Sequence, residues 1–157
     1  MAINKGKKFE EKFKEDFLRT VPNCSLDRLY DSVSGFKSIS NISDFIGYSK
    51  PNIMYLECKT HKGNTFPLTN LSQYDKLKEK VGIPGVRVGV VIWFEDHDRV
   101  IYVPINTITQ LKNDDKKSVN IRKIEDEGYR IINIPSTKRR VYLDSDYSVL
   151  LNLEDFD

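Results

Sequence analysis

Residues 41–73, NISDFIGYSKPNIMYLECKTHKGNTFPLTNLSQ, hold two apolar runs separated by a turn signal. Ile39 to Ile46 and Ile53 to Lys59 read as strands, with Gly47 and Lys50-Pro51-Asn52 punctuating the connection. Strand alternation places Ile53, Tyr55, Glu57 and Lys59 on one face, and Met54, Leu56 and Cys58 on the other. Glu57 and Lys59 are then same-face neighbours, roughly 7 Å apart along the chain. A symmetric hairpin about Lys50-Pro51 sets Asp44 directly opposite Glu57.

Directly paired residues bring their β-carbons to about 5 Å. Two carboxylates at that separation repel, and one tends to keep its proton unless a cation intervenes. Mg²⁺, for which Mn²⁺ is the expected substitute, takes one or two carboxylates and fills its remaining positions with water and phosphate. Asp44 and Glu57 are therefore the candidate metal ligands. Such a centre suits phosphodiester hydrolysis, because the cation acidifies water and stabilises charge on the phosphate. Lys59 is placed to orient that water or to neutralise developing negative charge. Lys62 carries the same charge without the strand placement. The competing reading is a cross-strand salt bridge of Asp44 or Glu57 with Lys59 on an exposed sheet face.

Upstream, Lys7 to Thr20 reads as a helix with Phe9, Phe13 and Phe17 in one apolar stripe. At about 100° per residue, Glu10 falls at the edge of that stripe and Glu11 on the far side. Val21-Pro22-Asn23 ends the helix. Leu26 to Phe36 reads as a strand and a turn with Gly35.

Downstream, Asn70 to Val81 reads as a second helix, with Leu71, Tyr74, Leu77 and Val81 inward. Asn70 and Gln73 have the spacing of a capping box, which competes with an active-site role for Gln73. Val86 to Phe94, VRVGVVIWF, is nearly all apolar and reads as a central strand. Glu95-Asp96-His97-Asp98 reads as a polar turn with a solvated His97, and Arg99 to Pro104 as the returning strand. Ile105–Leu111 and Val119–Glu127 read as short helices, Tyr129–Ile134 and Arg140–Leu143 as short strands. The whole predicts an α/β fold of one domain over 1–157, a mixed central sheet flanked by helices.

The chain has 157 residues, enough for a core, and its 39% hydrophobic and 31% charged content suits a globular protein. Its net charge of +2 does not by itself announce nucleic acid. Local charge says more. Lys5, Lys7, Lys8, Lys12 and Lys14 crowd the N-terminus, and Lys138-Arg139-Arg140 form a second cluster, both suited to phosphate or to a solvated face. His61, just after the Glu-x-Lys strand, is a candidate DNA contact. Phe36 is a candidate for stacking on exposed bases, or for core packing. No run approaches the roughly 20 apolar residues of a membrane span, and the N-terminus lacks the apolar core of a signal peptide. Cys24 and Cys58 make no disulfide framework, so the expected compartment is a reducing cytoplasm. No small-molecule organic cofactor is expected.

With these residues in view, the chain resembles the RecU-type Holliday junction resolvases of the PD-(D/E)xK nuclease superfamily, especially their short phage and prophage forms. Asn4-Lys5-Gly6-Lys7-Lys8-Phe9-Glu10 resembles the family's N-(R/K)-G-x-x-(F/L)-E opening helix. Asp44 with Glu57-x-Lys59 matches its catalytic core. Asn64-Thr65-Phe66-Pro67-Leu68-Thr69-Asn70 resembles the run that follows, and Lys117-Ser118-Val119 through Glu127-Gly128 the segment before the last strands. The resemblance implies a restriction-endonuclease-like core, a homodimer, Mg²⁺ dependence and cleavage of branched, four-way DNA in a cytoplasm, the bacterial host's if the chain is phage-encoded. It assigns catalytic roles to Asp44, Glu57 and Lys59, places Glu10 near the metal, and points more weakly to Gln73. Two departures stand out: Ser43 replaces the motif's proline, and Ser32–Ser43 is much shorter than the stalk of larger relatives. Two other functions fit the same residues, a sequence-specific or nicking endonuclease and a non-catalytic DNA-binding protein.

Overall fold

Asn4 opens helix α1 (Lys5–Thr20), its side chain accepting a hydrogen bond from Lys7 N at 3.0 Å. That bond satisfies one of the donors left free at a helix start. The structure, a computed structural model, describes residues 4–151 except 31, 35 and 36. Phe36 thus lies outside the described residues. The predicted stripe is the buried face of α1: Phe9, Phe13 and Phe17 sink into the core. The Phe13 ring lies 5.0 Å from Phe45 and 4.7 Å from Tyr147, centroid to centroid. Burying one such side chain is worth about 1.5–3 kcal/mol.

The sheet beneath α1 has six strands. They are β1 (Cys24–Arg28), β4 (Phe45–Ser49), β5 (Asn52–His61), β7 (Val86–Phe94), β8 (Arg99–Pro104) and β10 (Ile132–Ile134), in that spatial order. Among the described residues only the β5–β7 pair of this sheet is parallel. Met54, Leu56, Cys58, Val91 and Trp93 pack with α1 on one face. Val88, Val90, Ile92 and Phe94 meet α2 (Tyr74–Lys78) and α3 (Ile105–Asn113) on the other. The predicted mixed sheet between helices is the observed architecture, and β7 and β8 span the predicted residues.

Four local expectations are corrected. The strand expected over Ile39–Ile46 is two elements. The hairpin of β2 (Ser32–Ser34) and β3 (Lys37–Ile39) leaves the sheet, and β4 runs on to Ser49 with Gly47 inside it. A Cβ on Gly47 would stand 3.2 Å from Phe17 Cζ and 3.3 Å from Leu26 Cδ1. The glycine marks close approach of α1, not a turn. The second helix starts at Tyr74, because Leu68–Asn70 is a separate 3-10 turn and Leu71 leaves helical dihedrals. The capping box is therefore not formed: Gln73 precedes the helix, makes no cap bond, and accepts a hydrogen bond from Ser72 Oγ at 3.0 Å.

Residues 119–127 are not a helix. β9 (Ser118–Asn120) pairs with β6 (Thr65–Pro67), and turns follow. Phe66 and Leu68 of the F-P-L run are buried there, so that run shapes the core. Finally, of the strand expected over Arg140–Leu143 only Leu143 is in a strand: Arg140–Tyr142 turn between β11 (Ser136–Lys138) and β12 (Leu143–Ser145). Asp16 of α1, 1% exposed, clamps this ribbon by accepting from Lys12 Nζ at 2.9 Å, Arg19 Nη2 at 2.9 Å and Ser145 N at 3.0 Å. Three donors make a buried carboxylate tolerable.

Candidate active site

The β4–β5 ladder pairs Ser49 with Asn52 and ends at Phe45 with Leu56. Asp44 and Glu57 come one step beyond that last pair, in continuation of the register expected from a hairpin centred on Lys50-Pro51. Asp44 Oδ2 accepts a hydrogen bond from the backbone N of Cys58 at 2.8 Å, across the strand. The Asp44 carboxyl is also close enough to Glu57 to disfavour its ionisation. Glu57 is 1% exposed, and its Oε2 is buried with no hydrogen-bond partner. Burial, then the neighbouring Asp44 carboxyl, push the Glu57 carboxyl up to about 10 against the pull of Lys59. Without a cation this pair holds a proton, as two crowded carboxyls must.

Glu10 arrives from α1, at the edge of the phenylalanine stripe. Its carboxyl is raised by burial and by the charge of Asp44, and lowered by Arg28 and Lys59. Arg28, the last residue of β1, bridges Glu10 and Asp44. Its Nη2 donates to Glu10 Oε2 at 2.8 Å, and its Nη1 donates to the Asp44 carbonyl at 3.1 Å and to the Leu29 carbonyl. The same Nη1 stands 3.6 Å from Asp44 Oδ1, within ion-pair reach. Nothing in the local sequence marked Arg28. It is a strand-end residue whose partner, Phe45, appears only once β1 and β4 are aligned.

A cleft of about 630 Å³ opens beside these groups. Its lining includes Lys7, Glu10, Lys14, Arg28, Tyr30 and Lys59, but neither Asp44 nor Glu57. Lys5 instead approaches Glu95 at 3.6 Å, and Lys8 approaches Glu11 at 3.3 Å. His61 sits with its ring edge-on to Phe66 and Phe94, each 5.9 Å away, and Lys62 is exposed in the turn after β5. That turn is fastened from across the fold: Gly63 N donates to Asp96 Oδ2 at 2.7 Å, and His97 Nε2 lies 2.7 Å from Asn64 Oδ1. His97, expected to be solvated, is a clip on the turn.

The second basic cluster is engaged elsewhere. Lys138 pairs with Asp98 at 2.5 Å and Arg139 with Asp144 at 2.6 Å, while Arg140 is exposed in the intervening turn. None of the three lines the cleft, and neither does Gln73.

The donor set fits a hard divalent cation. An unsatisfied, buried Glu57 Oε2 stands beside a second carboxylate, which is the protein share Mg²⁺ commonly takes. Among the described residues no cluster of three or more His, Cys, Asp or Glu side chains forms a ready metal cage. Water and phosphate would have to supply the rest. Cys58 is no nucleophile: burial pushes its thiol well up, away from the reactive thiolate.

A family model described as Recombination protein U matches residues 28–144. The chain belongs to that family. The match covers Arg28, Asp44, Glu57 and Lys59 and leaves α1, with Glu10, outside it. Comparison with curated proteins gave no match. Membership in the Recombination protein U family makes the chain a nuclease of the Holliday junction resolvase type, acting in recombination on branched DNA. No helix among the described residues is long and apolar enough to cross a membrane.

Proposed function

We propose that this chain is a metal-dependent endodeoxyribonuclease that resolves four-way junctions as a homodimer by paired phosphodiester cuts. The observation that supports the reading is the register of β4 against β5, whose next step would pair Asp44 with a buried Glu57 whose Oε2 lacks a partner. Asp44 and Glu57 would hold the cation, Mg²⁺ or Mn²⁺. That ion supplies acidified water and charge neutralisation at the phosphate. The remaining steps fall to side chains. Asp44 Oδ2 is fixed by Cys58 N, and Oδ1, which stands 3.6 Å from Arg28 Nη1, would turn to the ion. Lys59, two residues along β5 and on the cleft, orients the attacking water and meets the charge that grows on the phosphate. Glu10 adds negative charge from the helix side, and Arg28 fixes its orientation. Lys7 and Lys14 line the route for the phosphate backbone.

A four-way junction has near two-fold symmetry, and two matched cuts call for a two-fold enzyme. The discriminating experiment compares cleavage of a four-way junction with that of a linear duplex of equal length, in Mg²⁺ and in EDTA. Metal-dependent cutting confined to the junction supports the resolvase. Equal cutting of both would leave a general or nicking endonuclease, and binding without cutting would leave a DNA-binding protein.

A further inference from the structure

Tyr30 is 76% exposed, more than any other large hydrophobic side chain among the described residues. It nevertheless stands on a rigid footing. The Arg28 guanidinium carbon lies 5.1 Å from its ring centroid. That guanidinium is held by Glu10 Oε2 and by the carbonyls of Leu29 and Asp44. The Tyr30 backbone is anchored as well: its carbonyl accepts from Asn41 Nδ2 at 2.5 Å, and Leu29 N donates to the Asp44 carbonyl at 2.7 Å. One ring face is therefore taken by a fixed cation. Tyr30 lines the same cleft as Lys7, Glu10, Lys14 and Lys59.

We propose that Tyr30, stacked on Arg28 at the side of the catalytic cleft, is a platform for one unpaired base of a branched DNA substrate. The inference rests on the nuclease reading above and deepens it by naming a residue that sorts substrates. Cations along a groove bind any phosphate backbone and do not tell a branch from a duplex. An aromatic face does, because it binds a base only when that base has left its stack. In continuous duplex each base face is covered, and uncovering one costs a few kcal/mol. At a branch point the stack is already interrupted. Since Arg28 is bound to the Asp44 carbonyl, a base on Tyr30 also fixes the adjoining phosphate relative to Asp44 and Lys59. The contact uses the ring and not the hydroxyl, so phenylalanine should serve and alanine should not.

The test places 2-aminopurine at the branch of a four-way junction, at an unpaired bulge in a duplex, and within a linear duplex. Binding and fluorescence are measured without catalytic metal for wild type, Tyr30→Phe and Tyr30→Ala. Wild type and Tyr30→Phe should quench the probe at branch and bulge. Tyr30→Ala should lose the quenching and about tenfold in affinity for both, near the low end expected for one stacked base. Its affinity for linear duplex should stay within about twofold, and its melting temperature should match that of wild type. Unchanged quenching and affinity in Tyr30→Ala, or an equal loss on all three substrates, would overturn the platform. If wild type shows no preference for the junction, the resolvase reading fails, while the bulge probe still decides the role of Tyr30.

Discussion

Lys59 shows how much one residue's place on a strand implies. It shares β5 with Glu57, lines the cleft, and its charge acts on both Glu57 and Glu10. A cation that engages mainly the developing charge should matter to the rate more than to binding. Lys59→Ala should therefore slow single-turnover cleavage of a junction by about 10²–10³-fold, the size of one lost oxyanion contact. Its Kd for the same junction should move only a few fold. A Kd rising in step with the falling rate would make Lys59 a binding residue. Glu10 and Glu11 make a matched pair of controls. Both line the cleft, but Glu10 is tied to Arg28 and feels Asp44, whereas Glu11 is exposed and pairs with Lys8. Glu10→Ala should weaken metal-dependent cleavage at least tenfold and Glu11→Ala less than twofold, as a titration of rate against Mg²⁺ would reveal. Helical angle in the sequence set Glu10 nearer the core, but it put Glu11 on the far side, whereas Glu11 also lines the cleft. Arg28 and Tyr30 were not legible, because their roles depend on β1 lying beside β4, a pairing that no local pattern announces.

At the scale of elements, periodicity was most legible where burial is complete. The phenylalanine stripe of α1 and the apolar runs of β7 and β8 had no alternative consistent with their pattern. Reading failed where tertiary contact overrides local preference. Gly47 reads as a turn residue and instead admits α1, and 119–120 joins a strand because β6 offers an edge. The β11–β12 ribbon, also misread, depends on charge. Asp144 accepts from Lys12 Nζ at 2.6 Å and from Arg139 Nε at 2.6 Å, and these bonds lower its carboxyl to about 2. A carboxyl lowered in the folded state contributes stability above its unfolded value, and that contribution fades as pH falls through the folded one. The window therefore runs from about pH 4 down to about pH 2. Asp144→Asn should lose less stability than wild type across that window, as acid titration of the melting temperature would register. Identical slopes would mean the ion pair adds nothing to folding.

The whole molecule must hold its two-fold substrate with a modest net charge of +2, so charge has to be placed and not merely abundant. Several lysines of the N-terminal cluster are spent on neighbours, and Lys7 and Lys14 line the cleft. Light scattering at micromolar concentration should give the mass of a dimer, free and on a junction; a monomer in both states would oppose the paired-cut reading. The central claim is that the β4–β5 register builds a two-carboxylate metal centre. The most direct measurement is single-turnover cleavage of a four-way junction in Mg²⁺ by wild type, Asp44→Asn and Glu57→Gln, with circular dichroism confirming that each is folded. Wild type should cut the junction and stop in EDTA, and both near-isosteric variants should bind it yet lose cleavage by at least a thousandfold, a loss of about 4 kcal/mol or more in transition-state stabilisation. Cleavage at the wild-type rate by either folded variant would contradict the account.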